Sequence, residues 1–246
     1  MKDLFSAQAE QYAIFRPQYP AMMYQQLYQH LKNFDRAWDC ATGNGQVAAV
    51  LAQKFKEVQA TDISDKQLTQ AMQKENIVYQ KAAAEDHLFP DNFFDLVTVA
   101  QGIHWFRFND FYNEAKRVLK PDGIIAVIGY GLIRVNEAVN AMIDDFYKNK
   151  VGPYWDKERK YVDEEYKTIP FPFTQLPCPK LSIQYNWNLE HLLGYINTWS
   201  SVQHYSKANN QSPLDKDFMI AIHRAWPHNA VLPVEFPLFL RIGKLS

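Results

Sequence analysis

The chain has 246 residues, 47% hydrophobic and 15% aromatic, enough apolar mass for a sizeable core, and this excludes a disordered protein. Its 26 Lys and Arg balance 27 Asp and Glu, giving a net charge of -1 without clustering, so the basic stripe of a nucleic-acid binder is missing. Cys40 and Cys178 stand far apart with no Cys or His at metal-ligand spacing, and no apolar run suits a signal peptide or a bilayer span. The expectation is a cytoplasmic single domain, monomer or homodimer, with no metal, nucleic-acid partner or membrane association.

Met22, Met23, Leu27 and Leu31 recur at helical spacing, and Ala37 to Ala41 then reads as a short buried strand. Val47, Val50, Leu51 and Phe55 restore the helical period, and Val58 to Asp62 reads as a second strand ending in an acid. Next come a helix near Asp65 to Gln73, strands at Ile77 to Gln80 and Phe94 to Ala100, and a helix from Phe108 to Leu119. Lys120-Pro121-Asp122-Gly123 stops that helix and turns the chain into a strand at Gly123 to Tyr130. Strands alternating with helices predict an α/β, doubly wound sheet covered on both faces.

After Asn149 the composition changes. Pro153, Pro170, Pro172, Pro177 and Pro179, with Tyr154, Trp155, Tyr161, Phe171 and Phe173, predict short helices and packed loops that cap the sheet. The charged run Asp156 to Lys160 reads as a solvated helix face, and Trp155, Tyr195, Trp199 and Tyr205 read as cap core. Leu181 to Trp187 and Val234 to Ile242 read as strands, with helices at Leu189 to Ser201 and Asp215 to Ala225 between them. The divisions are an N-terminal segment over 1–20, a core over 21–135, and cap helices with the last two strands over 136–246.

Gly43-Asn44-Gly45-Gln46-Val47-Ala48 lies between a strand and a helix, where backbone amides and a helix start meet a polar or anionic ligand. The run also fits the dinucleotide form G-x-G-x-x-A, and Asp62 lies near the distance of a ribose-binding acid, so a nicotinamide oxidoreductase is one reading. Asp39 and the longer loop Cys40-Ala41-Thr42 favour another: a nucleoside with an amino-acid tail needs a carboxylate near its ammonium. Asp39 also suits a bracing role, accepting backbone amides of the loop. Arg16, stiffened by Pro17 and Pro20, offers a guanidinium fork for a carboxylate.

Asp39 to Gln46 resembles motif I of class I S-adenosylmethionine-dependent methyltransferases, with Cys40-Ala41-Thr42 where Val-Gly-Cys is usual and Asn44 where Thr is usual. Ala60-Thr61-Asp62-Ile63-Ser64, Ala83-Ala84-Glu85-Asp86, Phe94 to Gln101 and Leu119 to Gly123 resemble further segments of that family. Tyr12 to Pro20 and Gln101 to Phe106 are similar to its trans-aconitate methyltransferase-like subgroup. The resemblance implies a Rossmann-like, seven-stranded mixed sheet with an antiparallel last strand, S-adenosylmethionine as cofactor, and methyl transfer to a small-molecule acceptor, a carboxylate being one candidate; a protein that binds the cofactor without chemistry is the alternative, ahead of the oxidoreductase. It implies cofactor contacts from Tyr12, Arg16, Asp39, Ala41, Gly43, Gly45, Asp62, Ile63, Ala84, Glu85, Asp86, Ala100 and Gln101. Asp62 would take the ribose hydroxyls, Asp86 the adenine amino group and Arg16 the methionyl carboxylate. His104 and Trp105, just past the fourth strand, are the candidates for positioning the acceptor, and Phe5 to Tyr19 is expected to close as a lid.

Overall fold

The computed structural model describes residues 14–246. β1 (Arg36–Cys40), β2 (Glu57–Asp62), β3 (Ile77–Lys81), β4 (Phe94–Ala100) and β5 (Leu119–Tyr130) pair in parallel in the order β3-β2-β1-β4-β5. β4 is buried at every residue but its last, which is why it reads as a continuous apolar run without alternation. Successive side chains go to opposite faces of the sheet. Ala37, Val58, Leu96, Ile124 and Ala126 pack with Met23 and Leu27 of α1 (Ala21–Tyr28) and Val47 and Leu51 of α2 (Gln46–Leu51). Trp38, Val97, Val99, Ile125 and Val127 pack on the other face with Phe111, Ala115 and Val118 of α4 (Phe108–Val118). The short α3 (Asp65–Thr69) is capped by Ser64, whose side chain accepts from Gln67 N.

The sheet has eight strands, one more than expected. β6 (Thr174–Leu176), β7 (Leu181–Trp187) and β8 (Leu232–Lys244) follow the parallel part. β8 runs antiparallel to β5, and its far edge is shared: Leu232 to Leu238 pair with β7, while Ile242 to Lys244 pair with β6. The extra strand β6 is three residues long, largely exposed and set between Pro172 and Pro177, so it carries no periodic signal.

Of the element boundaries that differ from expectation, three have a visible local cause. α3 ends at Thr69 instead of Gln73, because Met72 is drawn away by bonds from its N to Asn44 O and from Tyr79 Oη to its carbonyl. β5 begins at Leu119, before the Pro121 turn, and a register shift between Phe94 and Leu96 accommodates that turn within the strand pair. The helix expected over Leu189 to Ser201 is two: α7 (Leu189–Asn197) and α8 (Ser200–Asn209). Thr198 Oγ1 turns back to Tyr195 O at 2.6 Å, and buried Trp199 takes an extended backbone. With α5 (Glu137–Asp145), α6 (Arg159–Asp163) and α9 (Lys216–Ala225), these helices form the cap. Among the described residues no helix is long and apolar enough to cross a membrane.

Candidate active site

In an open parallel sheet, ligands bind beyond the carboxyl ends of the strands where the strand order reverses. Here that point lies between β1 and β4, and a cavity opens there, walled by the ends of β1, β2 and β4. Nine of the expected site residues line it: Arg16, Asp39, Ala41, Gly43, Asp62, Ile63, Ala100, Gln101 and Trp105. The backbone shapes it, since Ala41, Gly43 and Gln101 all have positive φ, at 56°, 56° and 54°. An added Cβ at Gly43 would find only Gln67 Oε1, at 4.0 Å, so the glycine leaves this side of the turn open.

Asp62 ends β2 with both oxygens engaged: Oδ2 accepts from Gly43 N and Oδ1 from Ser64 N, each at 2.9 Å. It therefore holds the glycine turn against the second strand while its carboxylate stays on the cavity wall. Asp39 is 1% exposed and accepts from Thr42 Oγ1 at 2.5 Å, Thr98 Oγ1 at 2.8 Å and Ala48 N at 3.1 Å. Burial raises its pKa to about 6, against the lowering effect of those bonds. Of the two roles open to Asp39 from sequence, bracing the loop is visible in these bonds.

Other expected residues lie elsewhere. Gly45 does not line the cavity; it is left-handed at φ 80° before α2, and a Cβ there would lie 2.2 Å from Tyr79 Oη. Ala84 is buried in the core, Glu85 accepts from Arg107 N, and Asp86 folds back on Ala83 N, so none of that loop borders the cavity. Tyr12 and Phe5 fall outside the described residues. The rest of the expected lid, from residue 14 on, is docked against the cap: Phe15 meets His191 edge-on at 5.2 Å, and Tyr185 Oη accepts from Gln18 N. Arg16 donates to Tyr130 Oη and Thr198 O and sits 5.3 Å over the Tyr195 ring.

A second cavity lies under the cap and shares Arg16, Gln101, Trp105 and Tyr130 with the first. His104 faces this one. Its Nδ1 is 2.9 Å from Tyr166 Oη, and burial, with a smaller effect from Arg159, lowers its pKa to about 3. The run Asp156 to Lys160 is not uniformly solvated: Asp156 and Arg159 turn into this cavity, with side chains only 16% and 22% exposed. Arg159 Nε donates to Tyr147 Oη at 2.7 Å and Asp163 Oδ1 at 3.2 Å, and its guanidinium lies 4.5 Å from the Trp155 ring centre. Trp155 and Tyr195 join the lining, whereas Trp199 is core. Tyr130 was also missed by sequence reasoning; the signal for it is its place at the end of β5, beside β4.

Comparison with known proteins agrees with this geometry. A family model described as a methyltransferase domain matches residues 38–127, from β1 into β5. A Dictyostelium discoideum protein carrying a methyltransferase name is 30% identical over 249 residues, 98% of this chain and 95% of that protein. A solved structure from Anaeromyxobacter dehalogenans, under a type II methyltransferase name, gives a TM-score of 0.86 at 35% identity, covering 94% of this chain and 98% of that one. The ubiquinone/menaquinone biosynthesis C-methyltransferase of Rickettsia bellii is 34% identical over 124 residues, 45% of this chain and 48% of that protein, so that likeness covers only part of each. Full-length likeness to named methyltransferases, the strand-end cavity with its open glycine turn and the acid closing β2 converge: the chain belongs to the class I S-adenosylmethionine-dependent methyltransferases.

Proposed function

We propose that this methyltransferase acts on a small molecule bound in the second cavity, with the cofactor in the first. The observation that carries this reading is the shared wall of Arg16, Gln101, Trp105 and Tyr130, which sets an acceptor site directly against the cofactor site. Bound S-adenosylmethionine supplies a sulfonium methyl, which passes to an acceptor nucleophile as the carbon–sulfur bond breaks, leaving a neutral thioether. The residues that would hold it are Asp62, for the ribose hydroxyls, and the Gly43 turn, with Arg16 placed for a carboxylate. Alignment of the reacting pair across the shared wall supplies much of the rate, about 7–11 kcal/mol at the upper end for well-oriented groups.

The chemistry of His104 narrows the acceptor. An imidazole with a pKa near 3 is a poor proton acceptor at neutral pH, so it serves to shape the cavity and orient the acceptor without removing a proton. An acceptor already ionised needs no base, and a carboxylate meets that condition. Resemblance of residues 12–20 and 101–106 to the trans-aconitate subgroup supports the same choice. The test is turnover with methyl-labelled S-adenosylmethionine against a panel of small carboxylic acids, alongside calorimetry with S-adenosylhomocysteine. Methyl esters as products support the reading. Cofactor binding with no ester from any acid, and label appearing on protein or nucleic acid instead, overturns it.

A further inference from the structure

The second cavity is bordered by opposite charges, Asp156 and Arg159, that do not pair with each other. Among the described residues the Arg159 guanidinium hydrogen-bonds only through Nε, which leaves both terminal amino groups of its fork for a ligand. Asp156 Oδ2 is buried and accepts no hydrogen bond from the described residues. Its neighbour His204, 3.8 Å away, spends Nδ1 on Tyr154 O at 2.9 Å. Asp156 and Arg159 make no ion pair with each other, although they stand three positions apart and both border one cavity. Among the described residues the indole N–H groups of Trp105 and Trp155, which both border this cavity, are also buried without acceptors.

Buried polar groups without partners cost stability, and buried charges cost more, so a cluster of them around a cavity is matched by what enters it. Arg159 and the two indoles are donors that call for an oxyanion. Asp156 calls for a donor, and an ammonium group satisfies it best. We propose that the second cavity selects a dipolar acceptor, whose oxyanion, carboxylate or phosphate, is gripped by Arg159 and whose amine faces Asp156. The fork is held in advance by Tyr147, Asp163 and the Trp155 face, so little ordering remains for binding. The demand is the same whichever oxygen or nitrogen of the acceptor takes the methyl. The proposal rests on the reading that this cavity holds the acceptor.

The experiment uses the full chain saturated with S-adenosylhomocysteine and follows the Trp indole N–H signals by NMR. The probes are matched sets: glutamate against 2-hydroxyglutarate and glutarate, phenylalanine against phenyllactate and phenylpropionate, and O-phosphoserine against phosphoglycerate. The expected result is that at least one amine-bearing probe shifts the Trp105 and Trp155 signals and binds at least tenfold more tightly than its amine-free partner. Phosphoserine and phosphoglycerate carry both oxyanions, so phosphoethanolamine against ethyl phosphate is run beside them, and this carboxylate-free set separates phosphate from carboxylate as the oxyanion. Asp156→Asn should erase the tenfold preference, and Arg159→Gln should weaken every probe at least tenfold with S-adenosylhomocysteine affinity unchanged. Because Arg159 also braces the cap, Arg159→Lys, which keeps the charge and loses the fork, provides a second variant, expected to fall between the two. Equal affinities within every set, a preference that survives Asp156→Asn, or no probe moving either indole signal would overturn the proposal. Failure to bind S-adenosylhomocysteine at all would be a failure of the cofactor site instead, and calorimetry reads that separately.

Discussion

The two cavities are built by different means. The first is made largely of short backbone stretches at three strand ends, within Asp39 to Val47, Asp62 to Ser64 and Ala100 to Gly102, and three left-handed residues set its shape. The second is made of single side chains from distant segments, Arg16, His104, Trp155, Arg159 and Tyr195 among them. A site cut from the backbone changes little without changing the sheet. A site assembled from side chains on a cap can alter its acceptor by a few substitutions while the cofactor site stays intact.

On that contrast, substitutions that crowd the backbone should damage the first region most. Gly45→Val combines a left-handed backbone with a Cβ 2.2 Å from Tyr79 Oη, whose hydrogen bond to Met72 O resists displacement. The expected loss is about 3–5 kcal/mol of folding stability, read by urea denaturation, and a loss under 1 kcal/mol would contradict a backbone-made site. Asp62→Ala should leave the protein folded yet weaken S-adenosylhomocysteine by about 1.5–3 kcal/mol, since a charged acceptor is removed. Calorimetry measures this, and an unchanged affinity would move the ribose site elsewhere.

Gly102→Ala should cost about 1–2 kcal/mol of stability, because its backbone is unstrained at φ -118° and the only severe contact is Ala41 Cβ at 2.8 Å. Ala41→Gly removes that contact and relieves a left-handed alanine, so the double variant should regain most of the loss. A double-mutant cycle with no coupling would mean that the two strand ends are not in contact. The smallest effect belongs to the second region. His104 has a folded pKa lowered far below its unfolded value near 6.5, so its neutral form contributes stability that is complete above pH 6.5 and declines as pH falls toward 3. His104→Gln should therefore flatten the acid side of the stability curve, by about 1 kcal/mol between pH 6.5 and 5.5, near the limit of 1.4 per unit. Parallel curves for the two proteins between pH 6.5 and 4 would refute the buried, neutral histidine. Asp39 works in the opposite sense: with a folded pKa near 6 it lowers stability as pH rises from about 4 to 6.

The same contrast explains what could be read from the sequence. The parallel strands and the glycine turn were legible because burial on both faces writes unbroken apolar runs, and the turn is contiguous. Seven strands were legible and β6 was not, since three exposed residues between prolines carry no period. Ala84, Glu85 and Asp86 were placed at the cofactor by resemblance, but their loop spends its acids on Arg107 N and Ala83 N. Arg159 lay hidden in a charged run that looked solvated, because burial of one side chain in a short helix depends on aromatic neighbours such as Tyr147 and Trp155, which only tertiary packing brings together. Tyr130 was missed because the end of β5 becomes a cavity wall only when β4 is known to lie beside it.

β8 also orders events in time. Its partners β5, β6 and β7 all precede it, and the pairing of Ile124 with Lys244 spans nearly half the chain, so this contact forms late on entropic grounds. The strands from β1 to β4 connect through two short helices and a loop and close over small sequence separations. Folding should therefore proceed in two phases, with a cofactor-competent half gaining structure first and the cap locking when β8 threads between β5 and its outer partners. Until that moment Phe236 of β8 stands apart from Trp187 of β7 and Tyr195 of α7, and the region around the acceptor cavity is the one exposed to aggregation or proteolysis.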